Sequence, residues 1–366
     1  MLFEPYSVAT LALANRIVMS PMTRSRAVDN NTPNALMASY YAQRASAGLI
    51  ITEGTSPSAN GIGYARIPGL FNQDHVKGWK LVTDAVHAKG GKIVIQFMHC
   101  GRVVGEANLP ADAKAVGPTD QLLEGEMYTD AKGMQPHMQP HALSAQEIAA
   151  TVAEYAHSAH LAIEAGFDGV ELHAANGYLI EQFLNANVNK RQDAYGGSAA
   201  NRNRFALEVM RATVAAIGAE RVGMRISPFG VFNGTGGFDG VEAQYEALVR
   251  EASAIGLMYL HLLDHSAMGA PAVPTEFKAK LRSLFKGTFI LAGGFNADTA
   301  EQALAADQAD LIGFGRPFIS NPDLVARMQK GVELTAPNMG TFYTPGEAGY
   351  TDYPAAPPPP QPAPSA

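Results

Sequence analysis

The sequence predicts an α/β fold, a single (β/α)8 TIM barrel, and three observations carry that expectation. Eight short apolar, β-branched runs follow one another along 366 residues, segments of helical period separate them, and polar or glycine residues gather where most of the runs end. The runs are Ile17 to Met19, Leu49 to Thr52, Lys92 to Phe97, Gly169 to Leu172, Val222 to Ile226, Tyr259 to Leu263, Thr288 to Leu291 and Leu311 to Phe314. They are nearly continuous in apolar character rather than alternating, as parallel strands covered on both faces require.

Taken in order, strand one leads into Ser20, Pro21, Met22 and Thr23, and strand two into Glu53 and Gly54. Strand three contributes Gln96 and leads to Met98 and His99; residues 101–143, rich in Gly, Pro, Asp and Lys, then form a long insertion expected to be a lid or a strand pair. Ser144 with Glu147 is a capping-box pattern, so a helix starts there and runs through Ile148, Val152, Tyr155, Ala159 and Ile163. Strand four delivers His173, Asn176 and Tyr178 just before a new apolar period at Leu179. Strand five carries Arg225, and strands seven and eight end in Gly293-Gly294 and Gly315-Arg316. Helices are expected near Asn296 and at Asn321, where Pro322 suits a first turn. The barrel then spans residues 1–353, and the proline-dominated tail 354–366 is expected to be extended and disordered.

Composition narrows the function. Hydrophobic residues make up 47% and charged residues 17% of the chain, ample for a large core, and the net charge of −7 without basic blocks argues against a nucleic-acid surface. No apolar run is long enough to span a membrane. One cysteine, Cys100, excludes an internal disulfide and fits a reducing compartment, and the amino terminus carries no secretory pattern, so a cytoplasmic monomer or small homo-oligomer is expected.

In such a barrel the carboxyl ends of all strands meet on one face. Glycine turns after strands seven and eight, with Arg316 beside them, form the usual phosphate site of the fold. Thr23, Gln96 and Arg225 arrive from other strands, and the set suits a planar, hydrogen-bonding ring held by a phosphorylated tail, as in flavin mononucleotide (FMN). Two other readings stand beside it. One is a non-redox phosphate-binding aldolase or isomerase, although no lysine ends a strand; the other is a non-catalytic flavin-binding protein docking through its proline-rich tail. A metal hydrolase built on His261, Asp264 and His265, or on His137 and His141, lacks a convincing third strand-borne ligand.

Several motifs in one order point further: MSPMTRSRA at 19–27, LMASYYAQRASAGLIITEGT at 36–55, IQFMHCGR at 95–102, DAYGGSAANRNRF at 193–205 and GYTDYP at 349–354. From about Leu2 to Pro354 the chain resembles the Old Yellow Enzyme family of FMN-dependent ene-reductases. The resemblance implies that Thr23 bonds the flavin carbonyl next to N5, that Gln96 and Arg225 hold the pyrimidine edge, and that Pro21, Met22 and Gly54 line the ring. Gly293, Gly294, Gly315 and Arg316 would take the phosphate. His173 and Asn176 would bind the activating oxygen of the substrate, and Tyr178 would donate the proton. Tyr64, Met98 and Tyr350 would border the substrate. The implied partners are nicotinamide, NADPH first and NADH second, and activated alkenes: α,β-unsaturated carbonyls, nitroalkenes, and also nitro compounds or nitrate esters, reduced in a ping-pong cycle. Met98 stands where many relatives have tryptophan, Cys100 where threonine is common and Gly54 where alanine is frequent. A soft residue at 98 is expected to widen the substrate pocket.

Overall fold

The structure, a computed structural model, describes residues 1–356. Eight parallel strands close into a barrel: β1 Ile17–Met19, β2 Leu49–Thr55, β3 Ile93–Phe97, β4 Gly169–Ala174, β5 Val222–Ile226, β6 Tyr259–Leu263, β7 Thr288–Ala292 and β8 Leu311–Phe314. Each pairs with its sequence neighbour, and β8 closes on β1 with Ile312 opposite Ile17 and Phe314 opposite Met19. The expected runs match the strands within a few residues at their ends. β2 and β4 extend further toward the carboxyl face than apolar character alone marks, because Glu53, Gly54, Thr55 and His173 continue the strands although they are polar or lack a side chain.

Between Ile51 and Gly54 the β2–β3 register shifts, so that Gly54 rather than Glu53 stands opposite Gln96. The extra residue is a bulge of the kind that re-aims side chains at barrel rims. Gly54 has a packing reason to be glycine, since a Cβ there would meet Met98 Sδ at 2.4 Å.

The helix after the insertion, Ala145–Glu164, starts with the expected box: Ser144 Oγ accepts from Glu147 N and Glu147 returns to Ser144 N. Asn296 likewise caps Ala297–Ala305. Asn321 does not start a helix. It ends the short helix Arg316–Ser320, and the next helix, Leu324–Lys330, begins after Asp323. The Asn321 side chain instead ties residues 14 apart, accepting from Thr335 N and donating to Thr335 O.

The insertion holds an antiparallel hairpin, Glu126–Thr129 with Gly133–Pro136, and a two-residue parallel pair, Val116–Gly117 with His141–Ala142. At the opposite end an unexpected hairpin, Tyr6–Val8 with Leu11–Leu13, packs Val8 and Leu13 against Val18, Leu49, Ile51 and Val94 and so plugs the barrel floor. Three-residue strands give too little periodicity to be seen in sequence.

Three buried arginines strap the carboxyl-terminal segment to the barrel. Arg24 donates to the carbonyls of Phe342 and Gly349, Arg26 to those of Thr341, Phe342 and Ala348, and Arg44 to those of Phe318 and Ile319. The tail expected to be free begins tethered: Arg327 donates to Pro354 O and Ala356 N to Asp323. Residues 357–366 of that tail lie outside the described residues.

Candidate active site

Cross-strand register brings the polar residues of the barrel mouth together. His173 on β4 stands opposite Arg225 on β5, and Arg225 opposite His261 on β6, while Glu171 on β4 stands opposite Gln96 on β3. Gln96 Nε2 donates to Glu171 at 2.8 Å, and the other oxygen of that carboxylate meets His261 Nδ1 at 2.9 Å. Burial works against the Glu171 charge, but His261, Arg225 and Gln96 outweigh it, so its pKa falls below the usual carboxylate value. His261 and Asp264, considered as metal ligands from the sequence, are thus engaged elsewhere: Asp264 pairs with Lys278. His141 likewise pairs with Glu147.

Past the end of β4, Asn176 (φ 61°) and Gly177 (φ 75°) make two consecutive left-handed residues. This sharp turn carries Tyr178 onto the start of the helix Leu179–Leu184, with its ring 5.0 Å from that of His173. At Gly177 any Cβ would lie 2.5 Å from Phe232 O, so only glycine fits. Burial, reinforced by Arg225, holds the His173 imidazole well below its ordinary pKa, and it is neutral at physiological pH. Burial also pushes the Tyr178 phenol well up, leaving it a protonated donor.

A cavity of about 370 Å³ opens above, walled by Thr23, Ser25, Tyr64, Arg66, Met127, Tyr128, Tyr178, Asn233 and Tyr343 among others. Thr23, Tyr64 and Tyr178, from three different segments, share this wall. Met98 is not in the wall; it is 2% exposed and packs in a cluster with Ile62, Ile67, Cys100, Val103 and Tyr178. Tyr350 is also displaced from its expected role: fully buried, it stacks on Tyr40 at 4.0 Å. The aromatic residue the carboxyl-terminal segment gives to the cavity is Tyr343. Sequence alone does not single it out from Tyr350 in the GYTDYP motif; in the structure Phe342 is buried and Tyr343 exposed, so the adjacent aromatic pair puts one ring in the core and one on the cavity.

Arg66 holds the rim together from a left-handed backbone (φ 55°). Its guanidinium reaches Ser25 O, Tyr343 O and the carboxylate of Asp130 at the hairpin tip.

The residues at the barrel mouth fit FMN. Arg225 is 5% exposed and its Nε has no partner among the described residues, although a buried guanidinium is costly without acceptors. A ring with carbonyl and nitrogen acceptors would satisfy it. Pro21 and Met22 are half-buried beside Thr23. Gly293 (φ 131°) and Gly294 (φ 71°) turn the chain after β7, and Gly315 caps the helix Arg316–Ser320 after β8. Arg316 is exposed, and among the described residues its side chain makes only a weak hydrogen bond to Met268 Sδ at 3.6 Å, leaving its charge available to a phosphate.

Comparison with known proteins agrees with this geometry. Residues 1–335 match the NADH:flavin oxidoreductase / NADH oxidase family. The chain is 45% identical to chanoclavine-I aldehyde reductase of Penicillium roqueforti, over 96% of this chain and 95% of that protein. It is 42% identical to a probable flavin mononucleotide-dependent alkene reductase of Leishmania infantum, over 96% and 97%. The solved structure of morphinone reductase superposes with a TM-score of 0.93 at 42% identity, covering 97% of this chain and 96% of that one.

Proposed function

The chain belongs to the NADH:flavin oxidoreductase / NADH oxidase family, that of the Old Yellow Enzyme homologues, and from that premise we propose how its barrel mouth works as a flavin-dependent ene-reductase. The chemistry FMN would supply here is hydride carriage between a reduced nicotinamide and an alkene conjugated to a carbonyl or nitro group. Arg225 and Gln96 would hold the pyrimidine edge of the ring, Thr23 would bond the carbonyl beside N5, and Pro21, Met22 and Gly54 would line it. Gly293, Gly294, Gly315 and Arg316 would receive the phosphate.

His173 and Asn176 donate to the activating oxygen of the substrate as negative charge develops there. Donors of this kind are worth on the order of 10² to 10³ in rate. A neutral imidazole can donate without bringing a second cation beside Arg225. Tyr178 then protonates the α-carbon, and its raised pKa keeps the proton in place until a carbanion-like acceptor forms. Tyr64 and Tyr343 shape the space for the alkene, whose proposed classes are unsaturated carbonyls and nitroalkenes, then nitro compounds and nitrate esters. NADPH is the proposed donor and NADH the second; the ratio of their kcat/KM values decides between them.

The observation that carries the reading is the buried, partner-poor Arg225 guanidinium in register with His173. The test is an anaerobic absorption spectrum with NADPH added first and 2-cyclohexenone second. Bleaching followed by recovery is expected. Protein that takes up no flavin on reconstitution would return the chain to the phosphate-binding barrel reading.

A further inference from the structure

Glu181 sits on the helix Leu179–Leu184, one turn beyond the His173–Tyr178 segment, and is 1% exposed. A carboxylate so deeply buried is costly unless it is paired or neutralised, and among the described residues no cation offsets it: burial pushes its pKa up to about 8 against hydrogen bonds from Gly177, Tyr245 and Ser227. Gly177 N–H donates to Glu181 Oε2 at 2.6 Å, and the Ser227 hydroxyl, at the end of β5, lies 3.4 Å from both carboxyl oxygens. Ser227 Oγ in turn accepts from Asn176 N at 3.0 Å, and Tyr245 OH approaches Oε1 at 3.4 Å.

These contacts meet at one feature. The N–H groups of the consecutive left-handed residues Asn176 and Gly177 both end on this cluster, Asn176 N on Ser227 Oγ and Gly177 N on Glu181 Oε2, so Glu181 supports the turn directly and through Ser227. The turn is held from the other side by Asn233 Nδ2 on Asn176 O at 2.7 Å and by Gln182 Nε2 on Gly177 O at 2.8 Å. An unusual backbone conformation of this kind persists only when its surroundings determine it. What the turn aims is the Asn176 amide, whose Oδ1 is buried with no partner, and the Tyr178 ring beyond it.

We propose that Glu181 is a positioning residue for the reaction, holding the Asn176–Gly177 turn so that the Asn176 amide and the Tyr178 hydroxyl meet the substrate together. The proposal rests on the ene-reductase reading for the role of those two side chains, and not for the turn itself. Glu181→Ala leaves the Gly177 N–H without its acceptor and the Ser227 hydroxyl, which accepts from Asn176 N, without its anchor. Glu181→Gln keeps an amide oxygen at the same place to accept from Gly177 and Ser227.

The experiment compares wild-type, Glu181→Ala and Glu181→Gln holoenzymes by hydrogen–deuterium exchange of peptides covering residues 174–179 and by spectral titration with p-hydroxybenzaldehyde. In the alanine variant, exchange in this segment is expected to quicken and the Kd to rise, each by about tenfold, the loss of one strong hydrogen bond. The glutamine variant is expected to restore both. Unchanged exchange in Glu181→Ala overturns the proposal whatever the enzyme's activity. A glutamine variant as impaired as the alanine one also overturns it, since the acceptor geometry would then not be what matters. Faster exchange in Glu181→Ala beside a wild type that neither binds the phenol nor reduces cyclohexenone would leave the turn assignment standing and sink the ene-reductase reading.

Discussion

The hydroxyls of Tyr64 and Tyr178 lie 3.0 Å apart, with the two rings edge to face at a centroid distance of 6.2 Å. Burial raises both phenols above their ordinary pKa, so each keeps its proton at neutral pH. Tyr178 is the inner member and Tyr64 the half-exposed one, on the cavity wall. One hydrogen bond thus links the cavity wall to the proposed donor.

Tyr178→Phe is therefore expected to slow 2-cyclohexenone turnover by about 10²-fold or more while leaving flavin reduction by NADPH nearly unchanged. Tyr64→Phe should give a smaller loss in the same half-reaction, by cutting resupply of the proton. Stopped-flow absorbance separates the halves. Wild-type enone rates in the Tyr178 variant would remove it from proton donation.

His173→Ala and Asn176→Ala are expected to weaken phenol binding, each by about tenfold, as loss of a hydrogen bond to a charged oxygen implies. Because His173 stays neutral well below its usual pKa, wild-type affinity should follow the ionisation of the phenol and show no step near ~6.5. Spectral titration from acid to alkaline pH reads both, and a step near that pH would mean that the imidazole titrates in the open.

Arg316→Ala should release FMN on dilution through loss of a charge-assisted phosphate contact, roughly tenfold in Kd. Arg225→Ala should perturb the flavin spectrum as well as retention, since it removes a group from the ring rather than from the tail. Full flavin occupancy of the Arg316 variant after gel filtration would contradict the phosphate assignment.

Tyr343 and Tyr350 make opposite predictions. Tyr343→Ala opens the cavity, changing KM for bulky enones with stability altered by less than about 0.5 kcal/mol. Tyr350→Ala removes a buried ring stacked on Tyr40 and should cost about 3–5 kcal/mol in urea unfolding. A scope change in the second variant without destabilisation would reverse the two roles.

Glu53 gives stability a pH dependence. Burial pushes its carboxyl up to about 7 despite hydrogen bonds from Arg24 N and the Tyr41 hydroxyl. A raised folded-state pKa means that the folded protein holds the proton where the unfolded chain, at ~4.3, has lost it. Its contribution is complete below the unfolded value and is lost as pH rises through about 7. Glu53→Gln should gain on the wild type by roughly 3 kcal/mol over that interval. Urea midpoints at acid and mildly alkaline pH measure it, and a constant difference would place the Glu53 pKa near its unfolded value.

The barrel was legible because its strands are apolar on both faces and its principal helix carries a full capping box at Ser144. The polar mouth was legible where residues cluster in sequence, as His173, Asn176 and Tyr178 do. What escaped depends on tertiary placement. Asn321 looks like a cap by letter and serves instead as a tie to Thr335. Tyr350 and Tyr343 are both tyrosines of one segment, and only the stacking of one on Tyr40 tells which faces the cavity. Glu181 reads as an ordinary helix surface residue until the turn packed against it is seen.

Arg66, itself in the loop after β2, joins the segment after β1, the insertion hairpin and the carboxyl-terminal segment through a single guanidinium. The three pieces are consequently not interchangeable parts. A hairpin transplanted from a relative to alter the range of alkenes accepted would have to bring an acidic residue to the place of Asp130, or Tyr343 would lose its setting along with the graft. Redesign of this rim has to treat it as one unit, with Arg66 chosen first.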